Sequence, residues 1–146
     1  MFNRLTGSSF HRSALAACLA TSLAASAVAA QTPPPLNQEQ HINDSLIAAA
    51  IGELIMRRCD SISPRYLVVY TKVKALEKYA RDLGYTEEEV KVFLDDKDEK
   101  RRVRRAALDY LAEQGAVKGD DESYCVVGRS EIEKGTLTGQ MLWSTD

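Results

Sequence analysis

Two cysteines constrain this chain more than any other feature. Beyond residue 30 they are Cys59 and Cys125, 66 positions apart, and what they do depends on the compartment in which the chain folds. The start of the sequence speaks to that. Residues 1–30 carry Arg4, His11 and Arg12 and no acid, followed by the uncharged run SALAACLATSLAASAVAA and then QTPPP. A charged start, an apolar middle and small residues at the cut are the layout of a secretory signal peptide. Ala27 with Ala29, or Val28 with Ala30, place cleavage after Ala29 or after Ala30, and Pro33 to Pro35 then keep the new terminus extended. A membrane anchor fits less well, because the run is short and rich in Ala, Ser and Thr, whereas a span wants about 20 strongly apolar residues. Leu15-Ala16-Ala17-Cys18 has the letters of a lipoprotein cleavage box. Only five uncharged residues separate Arg12 from Cys18, however, fewer than the roughly 7 that an apolar signal core needs.

Residues 1–30 hold two of the 19 Lys+Arg and none of the 21 Asp+Glu, so the remaining chain carries 17 against 21, a formal charge of −4. That balance argues against a nucleic-acid binder, which needs cations to neutralise phosphates. The 116 residues left after cleavage are enough for one domain with a modest core and contain no integral membrane segment. With Cys18 removed the cysteine count is even, and in an oxidising compartment Cys59 is expected to bond Cys125. No C-x-x-C marks a redox centre and no C-x-x-C-H a haem attachment. The one remaining histidine, His41, cannot complete a zinc site with two cysteines. Two buried free thiols are the alternative.

Hydrophobic spacing reads as helices throughout. Residues 31–42 are expected to be a flexible Pro-rich lead-in, and 43–146 a single helical domain. A first helix capped by Asn43 or Asp44 carries Leu46, Ile47, Ile51, Leu54 and Ile55, with Ile51, Ile55 and Cys59 on one stripe and Arg57 and Arg58 at its C-terminal end. Ser63-Pro64 looks like the cap and first position of a second, long amphipathic helix, with Tyr66, Val69, Tyr70, Val73, Leu76, Ala80 and Leu83 at helical spacing and Gly84 as stop. Thr86-Glu87-Glu88-Glu89 is a capping box opening a short helix that buries Val90, Phe93 and Leu94. A fourth helix runs from about Asp98 to Gln114 with Val103, Ala107, Tyr110 and Leu111 inward. A fifth runs from about Asp121 to Gly135 with Tyr124, Cys125, Gly128 and Ile132. Gly128, lacking a side chain, lets a neighbouring element come close. No alternating strand pattern and no repeat is present, so the fold class is all-α, a small bundle of about five helices closed by one disulfide.

Cys59-Asp60-Ser61-Ile62-Ser63 with Arg65, Gly84-Tyr85 before an acidic helix start, and Cys125, Gly128, Glu131-Ile132, Gly139 and Leu142 are short words at set spacings. Together they resemble a family of small exported alphaproteobacterial proteins classed as a domain of unknown function, over about Asp44 to Leu142. The resemblance implies an exported helical domain with paired cysteines. It implies no activity, ligand or catalytic residue. The tail Ser144-Thr145-Asp146 after Trp143 is outside the pattern.

Residue by residue, the chemistry thins out. Asp95-Asp96-Lys97-Asp98-Glu99 lacks the glycine and the terminal glutamate of an EF-hand loop and reads as acids at a helix start. Lys100-Arg101-Arg102-Val103-Arg104-Arg105 reads as a solvated face, with Asp98–Arg102 and Arg105–Asp109 pairs at i, i+4. Ser61, Ser63 and Ser130 have no G-x-S-x-G context. Asp60 and Arg65 flank the turn after Cys59 and are a candidate local polar site, joined as a charge-assisted pair. Leu137, Met141, Leu142 and Trp143 form the C-terminal candidate: core packing first, partner-binding surface second. No cofactor and no metal is expected. The function expected is that of an exported, periplasmic or secreted, non-enzymatic protein that meets an envelope partner. The alternatives are a periplasmic stress chaperone and a small-ligand binder or enzyme, which a pocket with convergent polar groups would favour.

Overall fold

The computed structural model describes residues 33–146. The signal-like residues 1–30, with Cys18 and both cleavage positions, lie outside the described residues. The described residues pack as one compact unit. Its frame is helix α1, Gln40–Met56, preceded by a single 3-10 turn at Leu36–Gln38.

Helix α1 starts before the caps expected at Asn43 or Asp44. Glu39 is the N-cap, its carboxylate accepting from the Ile42 amide at 2.9 Å. Asn43 cannot cap the turn that follows because its amide donates backwards, to the carbonyls of Asn37 (2.7 Å) and Glu39 (2.9 Å). The lead-in is also packed where flexibility is expected. Leu36 is buried beside Ile42, Ala80 and Tyr85, and the Tyr85 hydroxyl donates to the Pro34 carbonyl.

After α1 the chain turns through Cys59 into strand β1, Ile62–Pro64, which pairs antiparallel with strand β2, Leu142–Ser144, in the register Ile62↔Ser144, Ser63↔Trp143 and Pro64↔Leu142. Ser63-Pro64 is therefore an edge-strand end and not a helix start. Proline is tolerated there because a two-stranded ribbon has free edges, and the Arg65 amide extends the ladder by donating to the Met141 carbonyl at 2.8 Å. The fold is mostly helical with this one small sheet.

Helix α2 is Tyr66–Asp82 with Arg65 at its N-cap position, and helix α3, Glu87–Asp95, opens on the expected capping box of Thr86 and Glu89. Helix α4, Lys97–Glu113, is capped by Asp96, whose carboxylate takes the amides of Asp98 and Glu99 at 2.8 Å each. Helix α5, Asp121–Lys134, is capped by Asp120 and stopped by Gly135 in the left-handed conformation. A short helix α6, Leu137–Gln140, leads into β2.

The main core gathers Ile51, Leu54, Ile55 and Cys59 from the α1 side, Ile62 of β1, Ala107 and Leu111 of α4, Tyr124, Cys125 and Val127 of α5, and Leu142 of β2. A smaller cluster ties Ala80 and Tyr85 to Leu36 and Ile42. Helix α2 joins only this second cluster. Of its expected stripe Ala80 alone is buried, and α3 buries no residue fully.

Candidate functional site

Cys59 and Cys125 form the disulfide, with Cα atoms 5.1 Å apart. Both sulfurs lie in the main core and join the turn after α1 to α5. Closing so long a loop removes much of the freedom of the unfolded chain, while the buried sulfurs add apolar contact. The Ser61 hydroxyl lies 3.4 Å from the Cys59 sulfur.

Asp60 and Arg65 do not meet. Both are exposed, and no ion pair among the described residues joins them. The β1–β2 ladder forces this, since Arg65 is held by its backbone to Met141 while Asp60 stays in the turn before β1. The C-terminal candidate divides. Met141 and Leu142 are buried, Leu137 is half-buried, and Trp143 is 47% exposed. A strand makes this division where a helix was expected: along β2 alternate residues face opposite ways, so Leu142 enters the core and Trp143 turns out. The segment is core, apart from Trp143.

Exposed apolar side chains gather on α2. Leu67 is 84%, Tyr66 79% and Tyr70 63% exposed, with Val73 next along the same side. Trp143 stands opposite Ser63 in the ribbon, three positions before Tyr66, so the indole belongs to the same corner of the molecule. The start of α2 is electrostatically open. It has no acidic residue in its first turn and no side-chain cap, and the Arg65 guanidinium has no ion-pair partner among the described residues. Unpaired first-turn amides and a free cation both favour a negative group.

A buried carboxylate lies on α5. Glu131 of α5 is 1% exposed and accepts from the Tyr110 hydroxyl of α4 at 2.7 Å and from the Thr136 hydroxyl. A buried acid without hydrogen bonds would be costly, and these two donors offset that. Burial, and then the hydrogen bond to Glu131, push the Tyr110 phenol up to about 12. The cluster clamps α4, α5 and the α6 approach together. Glu131 lies three positions beyond Gly128, on the buried side of α5, and that spacing is the sequence signal that could have found it.

The remaining sequence candidates are peripheral. His41 packs edge-on to Tyr79, ring centroids 4.7 Å apart. The basic run pairs at i, i+3, Arg101 with Asp98 and Arg102 with Glu99 at 2.7 Å, in place of the expected Asp98–Arg102 and Arg105–Asp109 pairs. Asp96 turns its carboxylate to the helix amides, which leaves Asp98 and Glu99 to the nearer arginines. Among the described residues no cluster of three His, Cys, Asp or Glu could hold a metal ion, and no helix is long and apolar enough to cross a membrane.

Compared with models of protein families, residues 34–143 match one described as "Family of unknown function (DUF5333)". No curated protein and no solved structure matches.

Proposed function

We propose that this chain, which belongs to the Family of unknown function (DUF5333), is an exported, non-enzymatic interaction protein that receives an apolar, acid-bearing segment of an envelope partner on α2. The observation that carries the reading is the exposure of Leu67, Tyr66 and Tyr70 side by side. A single exposed apolar residue means little, but a contiguous patch with aromatic members and a polar rim marks an interaction surface. The partner's chemistry follows from the rim. Arg65 and the uncapped first turn of α2 favour a carboxylate beside the apolar contact. Placement in a periplasmic or secreted compartment rests on the layout of residues 1–30 and is supported by the Cys59–Cys125 bond, because disulfides persist where thiols are oxidised.

The test is cross-linking from α2 in native envelope extracts, with the captured segment identified by mass spectrometry. Wild-type protein should capture one defined partner segment with apolar and acidic residues through positions 66–73. Leu67→Asp and Arg65→Glu, both at exposed positions, should lose it while keeping the melting temperature. Capture unchanged in both variants, or sedimentation showing that α2 is covered by a second copy of the chain, would overturn the reading.

A further inference from the structure

On the side of α1 that faces α3 and α4 lies a cavity of about 350 Å³ that the interaction surface on α2 does not use. We infer that this cavity is a binding site for a small amphipathic anion, a carboxylate carrying a single medium-length acyl tail. Its volume falls in the lower part of the range of ligand pockets, roughly 300–1,000 Å³. The walls are apolar on three sides: Leu46, Ala50 and Leu54 from α1, Phe93 and Leu94 from α3, and Val103 from α4. Phe93 is half-buried and Leu94 is 45% exposed, so the α3 wall has apolar surface that a bound tail would cover.

The mouth decides the sign of the ligand. Four charged side chains line it, Glu53, Glu99, Lys100 and Arg104. Both acids are already committed. Glu53 accepts from Arg57 Nε at 2.9 Å and Nη2 at 2.5 Å, and Glu99 accepts from Arg102 at 2.7 Å and from Asn37 at 3.2 Å. The cations differ. Lys100 pairs with Asp95 at 3.6 Å, whereas Arg104 has no ion-pair or hydrogen-bond partner among the described residues. Lys100 and Arg104 are four apart on α4, so they share a face with Val103 beside them. An apolar floor beside the one lining cation without a partner, Arg104, suits a tail that ends in one negative group. It disfavours a cation of the same shape, which would meet Arg104 and find both carboxylates occupied. The guanidinium can grip a carboxylate through two parallel hydrogen bonds, the stronger and more directional mode.

The site is tested by calorimetric titration of the purified chain with decanoate below its micellar range and with decylamine, which has the same tail and the opposite charge. Decanoate should bind saturably at one site, and decylamine at least tenfold more weakly. Arg104→Glu, at an exposed position, should weaken decanoate about tenfold and narrow the difference from decylamine. Ala50→Trp, which fills the cavity from the α1 wall, should abolish binding. If that variant loses its helical circular dichroism, Val103→Phe replaces it. Equal binding of the two probes, binding that survives a filled cavity, or affinity for anionic phospholipid vesicles without affinity for monomeric decanoate would each overturn the assignment. None of these readouts involves α2, so failure here leaves the interaction proposal standing, and the reverse.

Discussion

The Ile62 side chain occupies the space that a Cβ at Gly128 would need. Ile55 closes the same gap from the other side, 2.7 Å from that position. Glycine at 128 is thus a packing requirement, which lets β1 and the end of α1 lie directly on α5 beside the disulfide. Replacing it with alanine should gain about 1 kcal/mol of helix propensity but lose roughly 1–3 kcal/mol to overpacking. A net loss of stability is expected from chemical denaturation of Gly128→Ala. Gly139 is tighter still, since a Cβ there would meet the Glu131 carbonyl of α5 itself. Backbone cannot rotate away as a side chain can, so Gly139→Ala should cost more than Gly128→Ala. The reverse order would contradict this packing.

Reduction should destabilise the chain by about 4 kcal/mol, the loop-closure value for a loop of this length and comparable to the whole net stability of a small domain. The measurement is urea unfolding with and without reductant. Non-reducing peptide mapping should recover Cys59 and Cys125 linked, and two free thiols would refute the bond.

Alkaline stability should depend on Tyr110. Its phenol is shifted upward from 10.0 to about 12 in the folded chain. The folded state therefore holds a proton that the unfolded state releases near pH 10, and folding is favoured below that pH. The contribution, about 3 kcal/mol, is lost as pH rises from about 10 through about 12. Tyr110→Phe should be less stable at neutral pH by about 1–2 kcal/mol, because Glu131 loses one of its two donors. It should also show a shallower decline between pH 9 and 11 than the native chain. Parallel declines would place the titrating group elsewhere.

Leu36 gives a simple check on the packed lead-in. Leu36→Ala should cost about 2 kcal/mol by removing a buried side chain from its cluster with Ile42, Ala80 and Tyr85. An unchanged melting temperature would mean that the segment before α1 is loose after all.

The parts of the fold that could be read in advance are those determined within a few residues. The Thr86–Glu89 box and Gly135 after α5 are caps whose chemistry needs no distant partner. The ribbon could not be read that way, because three-residue strands have no room for an alternating pattern, and Ser63-Pro64 spells a helix cap equally well. Only Met141 and Leu142, more than 75 positions further on, decide between the two. The stripe on α2 is the third case. Tyr66, Tyr70 and Val73 have the spacing of a buried face whether or not anything covers them, and coverage depends on where neighbouring elements end. The Cys59–Cys125 bond was readable from the even cysteine count and the signal-like layout of residues 1–30. For Glu131 the spacing from Gly128 marked only the buried side of α5; its donors, hydroxyls from 21 positions upstream and 5 downstream, leave no charge pattern.

The β1–β2 ribbon has a consequence for synthesis. Ser144 reaches the carbonyl of Ser61 across 83 positions, and a ribosome adds roughly 5–20 residues per second, so the two strands emerge about 4–17 s apart. For most of that interval Cys59 and Ile62 have neither their partner strand nor α5, which is made shortly before β2. A newly made chain is thus a good substrate for whatever holds unfinished apolar segments or guards free thiols. It ceases to be one once α5 and β2 have docked and the core is closed.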